Sequence, residues 1–149
     1  MIVKIGAIFF LSLSIGILYR VPKALLFYGA VVGVTGWLTL QAILGLNGSI
    51  VIGCFVGSLV VALCSELLAR RLRRPATIFL IPGFIPLVPG LEGYLTMLAM
   101  VRGNYLEGIE MAMRTVFMGG AIAMGIFVIS TIVHTVSVLQ TREEKQDAS

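Results

Sequence analysis

Apolar residues in this chain fall into long runs separated by short polar gaps, not into the alternation expected of half-buried strands. Five stretches are long or apolar enough to cross a bilayer core of about 30 Å, which takes roughly 20 helical residues. They run from Ile2 to Tyr19, Ala24 to Leu46, Ile50 to Ala69, Ala76 to Val101 and Thr115 to Leu139. The first is the shortest, and its Lys4 has to snorkel to an interface. Pro22 suits the first turn of the second helix, and Asn47-Gly48 between the second and third predicts a tight turn with positive φ. The pattern therefore predicts an all-α integral membrane protein of about five transmembrane helices. A transmembrane domain over residues 1–139 would be followed by a polar, frayed, cytoplasmic tail over 140–149.

Composition supports the same class. Of 149 residues, 58% are hydrophobic and only 12% charged, with a mean hydropathy of +1.04. So few charges cannot cover the core of a soluble domain, and lipid removes that need. The net charge of +4 does not point to nucleic acid, because the basic residues sit in the gaps between apolar runs. Arg70, Arg71, Arg73 and Arg74 are the densest group. With the first gap placed inside, the cytoplasmic side collects Arg20, Lys23, these four arginines, Arg142 and Lys145. Lys4, Arg102 and Arg114 then remain outside. That bias predicts an external N-terminus and a cytoplasmic C-terminus. A re-entrant fourth segment would move the tail outside.

Chemistry-bearing residues are sparse. Cys54 and Cys64 share one run, about 15 Å apart along a helix, too far to bridge. A single histidine, His134, makes no metal cluster, so neither metal nor cofactor is expected. No nucleophile–base pair or carboxylate dyad lies within the spans, which argues against an enzyme. Tyr19-Arg20-Val21-Pro22-Lys23 replaces the small-residue cleavage site of a signal peptide, so the first span is read as retained. Gly29 with Gly33, Gly53 with Gly57, and Gly120, Ala121 and Gly125 have the spacing that lets membrane helices approach closely, although glycine is common in such helices anyway. Between spans four and five, Leu106, Ile109 and Met113 share one helical face and Glu107, Glu110 and Arg114 another. This piece is either an interfacial helix or an extension of span five.

The fourth span is unlike the others. Ile81-Pro82-Gly83-Phe84-Ile85-Pro86-Leu87-Val88-Pro89-Gly90 holds three of the five prolines in the chain. Each removes a backbone donor and clashes with the carbonyl four residues back. Counted from Arg74, Pro82 lies about 12 Å deep at helical rise, so the interruption falls near the membrane midplane. A simple kink is the rival reading, but three prolines with two adjoining glycines predict a broken helix. Backbone released at that depth must be satisfied by protein or water, and transporters use such half-helix ends to meet a solute or ion. The start of the second half-helix, from Pro89 to Glu92, would favour an anionic group. Glu92 is the one carboxylate well inside an apolar run. It either carries a coupling proton, if burial raises its pKa, or caps the second half-helix. Glu66, four residues before Arg70, reads as a helix-surface pair.

With these residues in view, the chain resembles the smaller membrane module of the threonine/serine exporter family. The resemblance rests on Arg73-Arg74-Pro75-Ala76-Thr77-Ile78-Phe79 running into the Pro82–Gly90 segment, then Tyr94 four residues on. Gly103-Asn104, the closing Ala123-Met124-Gly125 and the early Val21-Pro22-Lys23-Ala24-Leu25 extend it over nearly the whole chain. It implies a secondary exporter of small hydrophilic metabolites across the inner membrane, either threonine- and serine-type amino acids or small dicarboxylates. It also implies a larger membrane subunit as partner, in an oligomer embedded in lipid. Pro82, Gly83, Pro86, Pro89, Gly90 and Tyr94 would then line the substrate pathway, and Glu92 would be the candidate for proton coupling. Glu92 departs from the family pattern, which favours a small or neutral residue there. No phosphate-binding Gly-rich loop with Lys-Ser/Thr is present, so a solute or proton gradient is the expected drive. The alternative is a non-transporting assembly or stabilising subunit.

Overall fold

The structure, a computed structural model, describes the backbone of residues 2–147 and the side chains of residues 2–136. Within these bounds the chain is a bundle of helices. They are α1 (Ile2–Leu18), α2 (Lys23–Gly45), α3 (Ile50–Leu72), α4 (Thr77–Phe84), a 3-10 turn at Ile85–Leu87, α5 (Gly90–Val101) and α6 (Tyr105–Asp147). Three helical stretches are long and apolar enough to cross a membrane: Lys23–Gly45, Ile50–Leu72 and Tyr105–Val136. Thr77–Leu87 and Gly90–Val101 pass the same test together as one bent pair, and α1 is a shorter apolar helix. This set matches the five apolar runs of the sequence.

The turns follow from local chemistry. Between α2 and α3, Asn47 adopts the left-handed conformation at φ 58°, and the Gly48 amide donates to the Ile43 carbonyl at 3.0 Å. Ser49 caps α3, its hydroxyl oxygen accepting from the Val51 amide at 3.2 Å. Ser49→Ala should cost about 1 kcal/mol, the usual loss of an N-cap, read as a lower unfolding midpoint in detergent. At its other end α3 runs to Leu72, past the Ala69 boundary expected from hydropathy. It carries Arg70 and Arg71 in its last turn, where cations suit the helix dipole. Arg73 then turns the chain at φ 51°, and the Arg74 amide closes on the Ala69 carbonyl. Arg70 also donates from Nη2 to the Val133 carbonyl of α6 at 3.1 Å.

α2 and α3 form the centre. α1 and α4 pack on α2, α6 packs on α3, and α5 pairs with α6. The core gathers Val32 and Leu40 from α2, Cys54 and Val61 from α3, Leu87 from the 3-10 turn, and Met118 and Ile122 from α6. A smaller cluster of Leu25, Ala69 and Phe79 closes the end that carries the arginines. Apolar burial supplies little drive between helices in lipid, so close approach matters more. A Cβ on Gly57 would lie 3.1 Å from the Gly36 carbonyl oxygen, and one on Gly125 would lie 2.8 Å from the Phe55 carbonyl oxygen. These two points fix the α2–α3 and α3–α6 crossings. Gly120 has open space around it and takes no part.

α6 begins at Tyr105 rather than Thr115. Gly103, at φ 82°, ends the α5 segment, and the chain enters the new helix at once through Asn104. The amphipathic piece is thus an extension of span five. Both of its faces are exposed, while Gly108 between them lies against Met100 and the Thr96 carbonyl of α5. The α6 backbone stays helical to Asp147, and side chains beyond Val136 lie outside the described residues.

Candidate functional site

The fourth span is broken. Its halves, Thr77–Leu87 and Gly90–Val101, meet at 44°, and Val88 at the joint is extended. The three prolines account for this one by one. Pro82 cannot donate to the Ile78 carbonyl, Pro86 cannot donate to the Pro82 carbonyl, and Pro89 cannot donate to the Ile85 carbonyl. The last is compensated, because the Val88 amide reaches the Ile85 carbonyl at 3.0 Å. The other two carbonyls lose their usual helical donor and lie on the α2 side. A Cβ on Gly33 would sit 3.2 Å from the Pro82 oxygen, and one on Gly29 would sit 4.0 Å from the Ile78 oxygen. The glycine pair on α2 therefore admits the damaged half of the span.

The break also places Leu87 where a straight helix would not. Its methyl groups fill the notch at the α2–α3 crossing, 3.1 Å from a Cβ position on Gly36 and 2.6 Å from one on Gly57. Leu87 is only 2% exposed.

The expected pathway residues divide along this segment. Pro82 and Gly83 are buried, with Gly83 against Val32 and Val61. Pro86 and Pro89 are half-buried, Gly90 opens α5 on an exposed surface, and Tyr94 is 63% exposed. They do not converge on one enclosed pocket in this chain. They form a strip running from the core out to the surface of the bundle. Glu92 stands in the first turn of α5, half-buried, where a carboxylate suits the helix dipole. Its backbone carbonyl accepts from Thr96 Oγ1 at 2.8 Å.

Sequence reasoning overlooked Ser12. This α1 side chain is 0% exposed and its hydroxyl has no hydrogen-bond partner. A Cβ on Gly33 would meet both Ser12 Oγ and the Pro82 oxygen, so the hydroxyl and the carbonyl line the same small space. A serine in an apolar run, with Ser14 only two residues on, carries no periodic signal that would single it out. His134 is exposed late in α6, and among the described residues no cluster of metal-ligating side chains occurs.

Comparison with known proteins agrees with the geometry. The sequence model of the family "Threonine/Serine exporter, ThrE" matches residues 4–132. The chain is 25% identical over 123 residues to an uncharacterized protein of Haemophilus influenzae, covering 77% of this chain and 41% of that protein. The chain thus spans under half the length of this curated relative. No solved structure gives a significant match. A bundle of apolar helices with a broken fourth span, matched over nearly all its length, is a multi-pass membrane protein of the threonine/serine exporter (ThrE) family.

Proposed function

We propose that this chain is one subunit of a secondary exporter that moves small hydrophilic metabolites, threonine- and serine-type amino acids or small dicarboxylates, out across the inner membrane. The observation that carries this reading is the broken span, where two carbonyls lose their helical donors beside a pair of glycines. Polar backbone at membrane depth is costly unless it lines a cavity or is matched by protein. Pro82, Gly83, Pro86, Pro89, Gly90 and Tyr94 form one wall of the pathway in this proposal, with Glu92 as the group that exchanges a coupling proton.

The wall is completed by a larger membrane subunit. Two observations support a partner: the strip ends at Gly90 and Tyr94 on the outside of the bundle, and the match covers only 41% of the relative. The N-terminus faces outward and the C-terminus the cytoplasm, with residues 1–139 as the membrane domain and 140–149 as the tail, following the distribution of arginine and lysine. The same outward strip also serves a second reading, in which the chain only assembles or stabilises the larger subunit.

Metabolite efflux from cells expressing this chain, the larger subunit, or both tests the pairing. Efflux is expected only when both are present. Efflux that is lost only when both are removed argues against obligate pairing.

A further inference from the structure

One cavity lies just before the start of the strip, at the end of the bundle that carries the basic residues. Its volume is about 200 Å³, and it is walled by Tyr19, Arg20 and Pro22 from the α1–α2 turn and by Thr77, Ile78 and Ile81 from α4. We propose that this cavity binds an oxyanion: a carboxylate of the transported solute, or the phosphate of a lipid headgroup. In the first case it is the waiting site from which solute enters the broken span, a role that rests on the exporter reading and on the orientation given above.

Several observations support an oxyanion. Its lining residues include an arginine, a threonine and a tyrosine, and no acidic residue. A guanidinium presents a fork of donors matched to carboxylate and phosphate. Among the described residues Arg20 is exposed and no side-chain hydrogen bond or ion pair of its own is present. Its backbone is held in the left-handed region at φ 55°, between the Arg20 amide bonded to Ile17 and the Val21 amide bonded to Gly16. The side chain therefore springs from a fixed turn rather than a loose loop. The α3 and α4 termini at this end bring Arg73 and Arg74, and the α2 terminus brings Lys23. Such a concentration of one sign raises the local concentration of anions. The volume is several times the share of one water in the liquid, about 30 Å³, which leaves room for a small organic acid. The position is apt as well. Ile78 and Ile81 belong to the turn that precedes Pro82, so the cavity adjoins the inner half of the broken span.

The test is ligand binding to the full chain in lipid nanodiscs. Arg20→Asn removes the charge while keeping a residue that tolerates positive φ, and Arg20→Lys keeps the charge without the fork. A size-exclusion profile equal to that of the unaltered protein establishes that each variant is folded. In neutral phosphatidylcholine discs, titration calorimetry with succinate and with L-threonine should show binding to the unaltered chain. It should be about tenfold weaker in Arg20→Asn, the order expected of one lost charge-assisted hydrogen bond, and partly restored in Arg20→Lys. In discs containing phosphatidylglycerol, a headgroup occupant would instead show as retained lipid in native mass spectrometry, lost in Arg20→Asn, with no solute binding in either disc. Equal solute binding and equal lipid retention in the unaltered chain and Arg20→Asn would overturn the site. Because binding is read without flux, a chain that binds through Arg20 yet does not export with its partner would sink the exporter reading and leave the site standing.

Discussion

Pro86→Ala combined with Pro89→Ala should lower export by about tenfold or more while leaving the protein inserted and assembled, if backbone released from helical pairing at mid-depth serves the solute. The substitutions return amide donors to residues 86 and 89, so the Pro82 carbonyl regains its helical donor and the Ile85 carbonyl can exchange the Val88 amide for that of residue 89. Within a helix each alanine is favoured over proline by about 3 kcal/mol, so the gain in helical order is large. The 44° bend would relax toward a continuous rod. Two things are then lost together: the carbonyl facing Gly33, and the register that seats Leu87 between Gly36 and Gly57. The measurement is efflux from whole cells, with partner recovery in detergent as control. Export that persists with the complex intact would show that Pro86 and Pro89 shape the fold without serving the pathway. Alanine replacement of Tyr94 separates the aromatic from the backbone contribution in the same assay.

Gly57→Leu should be the most damaging single substitution for the fold itself. The new Cβ would face the Gly36 carbonyl oxygen at 3.1 Å and Leu87 Cδ2 at 2.6 Å. Backbone on one side cannot yield, and the rest of the side chain has nowhere to go but through Leu87. Overpacking of a tight core costs about 1–3 kcal/mol and sometimes more, and here α2, α3 and the broken span all meet at the site. The expected result is loss of the monodisperse protein on size exclusion, or a steep fall in its unfolding temperature. Gly120→Leu is the matched control, since nothing lies within 4 Å of a Cβ there. Equal behaviour of the two variants would mean that the α2–α3 crossing is not held at Gly57.

Those two sites differ in how readable they were. Three prolines in eight residues announce a break from composition alone, because proline acts on its own backbone and on a carbonyl four residues away. The Asn47 turn is legible for the same local reason. The notch at Gly36 and Gly57 is not, since searching for small residues four apart within a helix pairs Gly53 with Gly57 and passes over Gly36, whose counterpart lies on another helix. α6 begins ten residues before the apolar run at Thr115 because Glu107, Glu110 and Arg114 lower hydropathy without weakening a helix, which is why the sequence alone left an interfacial helix and an extension of span five both open. Arg20 and Thr77 are 57 residues apart, and only the packing of α1 and α4 on α2 brings their turns to one cavity.

The length of α6 has a consequence of its own. The stretch Tyr105–Val136 holds 32 residues, about 48 Å at helical rise, against a hydrocarbon core of about 30 Å. Even a lean of about 40° from the bilayer normal, the upper end for such helices, leaves roughly 37 Å to accommodate. About a turn or more must stand clear of the hydrocarbon. The end bearing Leu106, Glu107 and Glu110 is the polar candidate, and it drags the neighbouring end of α5 with it. On that placement the hairpin tip at Gly103 and Asn104 projects beyond the hydrocarbon.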